Sequence, residues 1–428
     1  MPSAPDMSVA ICSRNGAPTI ARALESLSGQ TIAARLEILV VDDGSTDKTA
    51  DIASRHGATV VRHETNRGLA AARNSAVRAS RAPIVAFIDD DCEADADWAE
   101  RLLAAYEDGP DGVGGVVHPG PGDGFTLAYL RRHNPLQPLE LELMHREDML
   151  YRLRLYLTHQ WTRMDRPARR EVFSLVGANM SFRRESLHEF GLFDEHFSFG
   201  GEEAEFCYRM RQSRGDVRLV LASDARVTHH FRPSMRDTLR RSRAYGLGGA
   251  RLSRRWRSVR PTIYPVPVLV AAVATSRRPS RLLLAAALPA VLYPSGLAAA
   301  IRARRLGLLA DAYVQLLQEA SSNIGMILGL WRFRHLGTEG QRSAGAVGDG
   351  PAAATAARLP MVAGMGASEA LGIAPKPELA SSESAADNPS VDRAPRESAA
   401  VAVAPANLQT PAGTADETGL GTVPKPGT

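Results

Sequence analysis

The run Ile84-Val85-Ala86-Phe87-Ile88 stops at three successive carboxylates, Asp89-Asp90-Asp91. A short continuous apolar run bounded by Pro83 on one side and a charge cluster on the other reads as a β-strand buried on both faces. A strand of that kind belongs to a sheet covered by helices, which confines the chain to an α/β architecture. Three acids at its carboxyl end repel one another unless something positive sits among them. Hard oxygen ligands suit Mg²⁺ or Mn²⁺, which bridge a carboxylate or two to substrate phosphates. The plainer alternative is a solvated acidic turn ahead of a helix starting near Trp98.

The preceding residues supply the partners of this strand. Met7 to Ile11 is a short apolar run followed by the turn Ser13-Arg14-Asn15-Gly16, and Thr19 to Leu27 has helical spacing. Leu36 to Val41 is a second buried strand and ends in Asp42-Asp43-Gly44-Ser45-Thr46-Asp47, with a helix to follow, capped near Ser45 or Asp47. Ala58 to Arg62 reads as a strand and Gly68 to Ser80 as a helix. Alternation at this pace predicts a mostly parallel sheet flanked by helices. Ligands of such sheets bind outside the carboxyl ends of the strands. Two strands here end in Asp pairs, which puts both acidic clusters on one rim.

Composition narrows the partners. The formal charge of +4 on 428 residues does not indicate nucleic acid. Cys12, Cys92 and Cys207 have no paired spacing and read as reduced thiols of a cytosolic compartment. The first sixteen residues show no basic stretch followed by an apolar core, so no secretory signal is expected.

Four blocks in order, VAICSRNGAPTIARALESL, EILVVDDGSTDKTA, NRGLAAARNSAVRAS and IVAFIDDDCEADADWAERLL, resemble the family-2 glycosyltransferases over about residues 7 to 250. The resemblance implies a GT-A fold (Rossmann-like, a mostly parallel sheet flanked by helices). It also implies a nucleotide-sugar donor, with a UDP-sugar favoured, and inverting, metal-dependent transfer to a hydroxyl. Cys12 stands where many relatives carry Pro, a change of backbone restraint and not of chemistry. By resemblance Asp43 meets the base or ribose of the donor, with Asp42 beside it and Asn15 in the same donor-binding set. The local alternative for Asp42 is an Asx-turn. Arg73 is implied to face the donor diphosphate, against the alternative of a solvated helix face. Asp89 and Asp91 fall on the DxD motif with Asp90 between them, Asp91 being the implied metal ligand and the register open by one residue.

Further on, GANMSFRR resembles a strand under the acceptor pocket, with Asn179 an acceptor contact or a core amide. FDEHFSFGGEEAEF resembles the block that carries the general base. Glu203 stands where most relatives have Asp, with Glu202 as the neighbouring register; the alternative for these acids is a first helical turn favoured by the dipole. The VTHH segment implies a His for the metal or diphosphate, and His229 fits it best. Arg240-Arg241-Ser242-Arg243-Ala244-Tyr245-Gly246 resembles a basic element after the catalytic core.

Phe125 to Arg132 and Leu139 to Trp161 read as helices. Thr262 to Thr275 is apolar but broken by Pro265 and Pro267. Leu282 to Ile301 is twenty residues without a charge, long enough to span a ~30 Å hydrocarbon core. Arg277, Arg278 and Arg281 precede it and Arg302, Arg304 and Arg305 follow, so the flanks do not orient it. A hairpin in or through the membrane and a buried helix are both open. Leu306 to Phe333 reads as an amphipathic helix, and 337–428 as a disordered Ala/Pro/Gly-rich tail. The expected organisation is thus a catalytic domain over 1–250, a helical region over 251–336 and the tail. The expected activity is transfer to a cell-envelope glycan or lipid-linked saccharide at the cytoplasmic face of the membrane. A processive polysaccharide synthase is disfavoured because Leu252 replaces Gln in Q-x-x-R-W, and a sugar-nucleotide transferase because of GGEEAEF. An inactive scaffold is disfavoured by the intact Asp43, Asp91 and Glu203.

Overall fold

The computed structural model describes residues 4–141, 149–161, 167–197, 200–256, 259–275, 278 and 280–336. Its elements run β1 (Met7–Ser13), α1 (Ile20–Ser28), β2 (Leu36–Asp43), α2 (Thr49–Arg55), β3 (Thr59–His63), α3 (Leu69–Ala79), β4 (Ile84–Ile88), β5 (Cys92–Ala94) and α4 (Trp98–Ala105). Then come β6 (Gly112–Pro119), α5 (Phe125–Arg132), α6 (Met149–Trp161), β7 (Arg169–Glu171), β8 (Asn179–Arg183), α7 (Arg184–Glu189), α8 (Glu202–Ser213) and β9 (Leu219–His229). The helices α9 (Met235–Arg255), α10 (Pro265–Ala274), α11 (Ser280–Leu292), α12 (Pro294–Ala303) and α13 (Ala310–Arg332) complete the described chain.

One sheet holds all the strands, in the order β3-β2-β1-β4-β8-β6-β9-β5, with β7 on the side of β9. The expected parallel sheet is present only in its first half, where β3, β2, β1 and β4 run together. The second half is mixed: β8 lies antiparallel between β4 and β6, β9 returns parallel to β6, and β5 and β7 pair antiparallel with β9. Strand alternation sorts side chains between the two faces. Met7, Val9 and Ile11 of β1 join α1 and α4 around Trp98 and Leu102, whereas Ala10 faces the opposite core with Ala72, Ala76, Phe206 and Met210. β4 is buried at every position, as a strand covered on both faces must be.

The C-terminal helices are held by close backbone contact and by buried polar groups. A Cβ at Gly246 of α9 would overlap the Ser322 carbonyl, and one at Gly325 of α13 would overlap that of Arg243, so only glycine permits this approach. Arg132 forks onto Asp311 at 2.6 and 2.7 Å. Glu319 accepts hydrogen bonds from Tyr156 at 2.9 Å and Tyr293 at 2.6 Å.

Two stretches differ from expectation. Leu139 is not helical; its carbonyl accepts from the Phe173 amide at 2.7 Å, and the helix within the described residues starts only at Met149. Residues 142–148 lie outside the described residues, as does the tail 337–428. The apolar stretch 282–301 is not one helix. Tyr293, disfavoured from the α region by the following Pro294, has ψ of 73° and ends α11, and α12 departs at 73° to it. Among the described residues no single helix is long and apolar enough to cross a membrane.

Candidate functional site

The carboxyl ends of β1, β2 and β4 form the rim that the sequence marked, and its first two loops are stitched together by side chains. Asn15 adopts φ 56°, a left-handed conformation that Asn tolerates better than most residues. There its Oδ1 accepts from the Thr46 amide at 2.9 Å, and its own amide donates to Ser45 Oγ at 2.9 Å. Neither Ser45 nor Asp47 is the N-cap of α2, which is Lys48; Asp47 lies one residue earlier and accepts from the Thr49 amide at 3.0 Å. Asp42 is fully buried: Oδ1 accepts from the Ser45 amide at 2.9 Å and Oδ2 lies 3.3 Å from Arg62 Nε. It is the Asx-turn of this loop, so its assignment to the donor is corrected on grounds of access.

Asp43 is the more exacting residue. Oδ1 meets His63 Nδ1 at 2.7 Å and the Arg67 amide at 2.8 Å, while Oδ2 accepts from the Gly68 amide at 2.8 Å. His63 turns its other nitrogen to Ser75 Oγ at 2.9 Å. The parallel register brings His63 opposite Asp43, at the ends of β3 and β2. Gly44, Ser45, Arg62, His63 and Glu64 line a groove of about 420 Å³ beside them.

The three acids after β4 diverge. The Ser13 hydroxyl donates to Asp90. Asp89 is about 35% exposed and lies 4.0 Å from Arg73 Nη2. Asp91 Oδ1 is 3.4 Å from His229 Nε2, and the ligand atoms of Asp91, Cys92 and His229 all lie within 4.8 Å of one another. Burial, then the neighbouring Asp89 and Asp90, push the Asp91 carboxyl up to about 7, against the pull of Arg241. That frustration is what a bound cation relieves. Burial holds His229 down to about 4, leaving it neutral and able to ligate, and its Nδ1 has no partner among the described residues. The Cys92 thiol is pushed well up by burial, so it stays protonated and is a poor ligand. The carboxylates and the imidazole therefore fit a hard divalent cation. Arg232 and Arg241 supply nearby positive charge, and neither has a carboxylate within ion-pair distance among the described residues; Arg241 lies 5.1 Å over the Phe231 ring.

Opposite stands the start of α8, entered through Gly200 and Gly201 at φ 95° and 97°. Here the structure separates two acids that the sequence left in one register question. Glu202 is 1% exposed and ion-paired with Arg73, whose Nη2 also donates to the Gly177 carbonyl at 3.2 Å. Glu203 has no ion pair among the described residues, and its carboxylate interacts with the backbone amides of Gly201 and Glu203. Burial and the Glu202 charge push it up to about 7, with Arg73 pulling the other way. Arg73 is thus neither on a solvated face nor open to solvent. It is buried between the acid cluster of β4 and the acids of α8, and also lies over the rings of Phe87 and Phe193.

Asn179 is corrected to a core amide. It is fully buried, accepts from Trp98 Nε1 at 2.9 Å, and donates to the carbonyls of Val116 at 3.1 Å and Ala225 at 3.0 Å, where the β6/β9 register shifts. The Arg255-Trp256 pair at the end of α9 is likewise used internally. Arg255 reaches Asp194 at 2.9 Å and Glu205 at 3.1 Å, and Trp256 Nε1 donates to Glu205 at 3.3 Å. The residues sequence reasoning passed over are His63, Ser13 and Arg232. His63 left one trace, a polar residue closing the strand Thr59-Val60-Val61-Arg62-His63 opposite an Asp.

Comparison with known proteins agrees with this rim. A profile described as Glycosyl transferase family 2 matches residues 8–191, and one described as Glycosyl transferase family group 2 matches residues 123–309. A pre-mycofactocin glycosyltransferase of Mycobacterium tuberculosis is 29% identical over 256 residues, 59% of this chain and 48% of that protein, so the chain spans about half the length of that relative. A glucosyl-dolichyl phosphate glucuronosyltransferase of Haloferax volcanii is 29% identical over 237 residues, 52% of this chain and 68% of that protein. A mannosyltransferase from Pyrobaculum calidifontis, solved in complex with GDP-Man and Mn²⁺, overlays with a TM-score of 0.47 at 21% identity, covering 77% of this chain and 88% of that one. With the acidic rim, the Arg73 bridge and the α8 carboxylates in place along the matched residues, the chain belongs to glycosyl transferase family 2.

Proposed function

We propose that this chain is an inverting, metal-dependent glycosyltransferase of GT-A type. It takes one sugar from a nucleotide-diphosphate sugar, with a UDP-sugar favoured, and moves it to a hydroxyl of a cell-envelope glycan or lipid-linked saccharide. It works at the cytoplasmic face of the membrane. The observation that carries this reading is the opposition of two acid sets about one guanidinium: Asp89 on one side of Arg73, and Glu202 with Glu203 on the other.

The division of labour follows from the environments. The groove beside Asp43 and His63 takes the nucleoside, and Asp43, already anchoring the loop to Gly68, fixes the groove's shape. Asp91, with Asp89 and His229, would hold the cation, which neutralises charge on the diphosphate leaving group. Arg232 and Arg241 add positive charge beside the same acids. Glu203 takes the proton of the acceptor hydroxyl. A base that titrates near 7 is substantially ionised at neutral pH yet basic enough to accept a proton, the compromise that general-base catalysis favours. Arg73 and Glu202 do not touch substrate in this reading; they hold Glu203 and set its charge environment. The internal use of Arg255 and Trp256 favours single transfer over processive synthesis.

The test is calorimetric binding of UDP, GDP and dTDP to the full chain, with and without Mn²⁺. Metal-dependent binding of one nucleotide is expected. No binding of any of them to folded protein would overturn the proposal.

A further inference from the structure

We infer that α11 and α12 form a re-entrant wedge that enters one leaflet of an anionic bilayer and returns to the side from which it came. This rests on the membrane association proposed above and specifies its form.

The first observation is length against geometry. α11 and α12 contain 13 and 10 residues, so at 1.5 Å per residue they rise about 20 and 15 Å, each short of a ~30 Å hydrocarbon core. Laid end to end they would be long enough, but they meet at 73°. The second is that the bend is fastened from the protein side. Tyr293, at the break, is fully buried and donates to Glu319 of α13 at 2.6 Å, and Tyr313 donates to the Ala286 carbonyl at 2.8 Å. Straightening the pair would withdraw Tyr293 from a buried carboxylate, which is costly. The bend is therefore a built feature of the protein body.

The third observation is what faces outward. Leu283 is 77% exposed and Leu306 81%, with Leu282, Leu284, Val291 and Ile301 all more than half exposed. So many large apolar side chains on one short segment mark an interaction surface. Charge selects the occupant. Exposed Arg278 and Arg281 stand just before and in the first turn of α11, and exposed Arg302, Arg304 and Arg305 in the last turn of α12 and just after it. A spanning segment is oriented by an imbalance of basic residues. Basic clusters at both ends instead suit two ends in the anionic headgroups of one leaflet. Trp331, 68% exposed near the end of α13, is a residue type favoured at that depth.

The experiment uses the full chain with an epitope at each end. Flotation with vesicles of phosphatidylglycerol and phosphatidylcholine, against phosphatidylcholine alone, reads association. External protease on intact spheroplasts and on inverted membrane vesicles reads sidedness. The expected result is at least tenfold stronger flotation with the anionic vesicles. Both epitopes should be cut in inverted vesicles and neither in spheroplasts. L283D combined with L284D should lower flotation at least tenfold with nucleotide binding unchanged. Epitopes on opposite sides would overturn the re-entrant form. Equal flotation with both vesicle types would overturn the role of the arginines. Self-association through this face without flotation would show that a second copy, not lipid, covers it. Nucleotide binding, measured on the same sample, reports separately on the catalytic reading.

Discussion

Removing the Arg73 guanidinium tests the central claim about the site, because the pair it makes with Glu202 governs both stability and the acidity of Glu203. Arg73→Met leaves Glu202, 1% exposed, without its partner. Breaking a buried pair from one side costs about 3–5 kcal/mol. The two ring contacts at 5.8 and 5.9 Å add roughly 0.5–1 kcal/mol each. A loss of about 4–7 kcal/mol is a large part of the ~5–15 kcal/mol that holds a domain folded. Replacing both partners, Arg73→Met with Glu202→Leu, removes the stranded charge, so the double variant should be more stable than Arg73→Met alone. Urea unfolding of the four proteins gives the coupling energy, expected above about 2 kcal/mol. A second readout concerns sign. Arg73 lowers the Glu203 pKa and Glu202 raises it. The ascending limb of the kcat/KM–pH profile should therefore move up in Arg73→Met and down in Glu202→Gln, by about one unit each, or ~1.4 kcal/mol. Coupling near zero, or limbs moving in the same direction, would refute the reasoning.

Glu203→Gln should retain nucleotide binding and lose transfer by at least two orders of magnitude in a steady-state assay; transfer at the normal rate would remove Glu203 as the base. In the folded protein Glu203 keeps its proton to about 7 while the unfolded chain releases it near 4.5, so this group's contribution to stability is full below that window and lost as pH rises through it; Glu203→Gln should flatten that decline in urea midpoints measured from pH 4.5 to 7.5. Mn²⁺ affinity, followed by electron paramagnetic resonance, should rise with pH through about 7 as Asp91 ionises and be absent in Asp91→Ala; a pH-independent affinity would place the ion elsewhere. His63→Ala should raise the nucleotide Kd about tenfold with little change in kcat, and His63→Asn should restore part of it; an unchanged Kd in a folded variant would deny His63 any part in shaping the groove.

How far the sequence could be read depended on whether a signal was local. β4 and its acids were legible because a buried parallel strand must be continuously apolar and must end somewhere polar. The antiparallel insertion of β8 was not, since strand direction in the second half is decided by pairing between residues a hundred apart, such as Ile84 with Arg183. Asp42 and Asn179 looked like ligands because Asp and Asn serve turns, cores and sites alike, and only burial separates those uses. Glu202 and Glu203 differ by one residue in sequence but by a helical rotation in space, which turns one onto Arg73 and leaves the other unpaired. For residues 282–301 a membrane hairpin and a buried helix stayed open because composition carries no bend angle. Pro294 marked where a break was possible, and Tyr293 with Glu319 fixed it.

Gly248 of α9 lies so close to Gly200 that a side chain on it would overlap the Gly200 carbonyl, about half a turn from where Gly246 meets α13. With glycine on both faces, α9 packs backbone to backbone against the Gly200 turn on one side and against α13 on the other. The height of Glu203 above the wedge helices is then a fixed dimension of the protein. With the wedge seated in a leaflet, the enzyme would measure its acceptors: a hydroxyl carried at the matching height above the lipid reaches the base, and one carried a sugar higher or lower does not. Substrate choice would in part be a matter of stature, set by three glycines that touch no substrate.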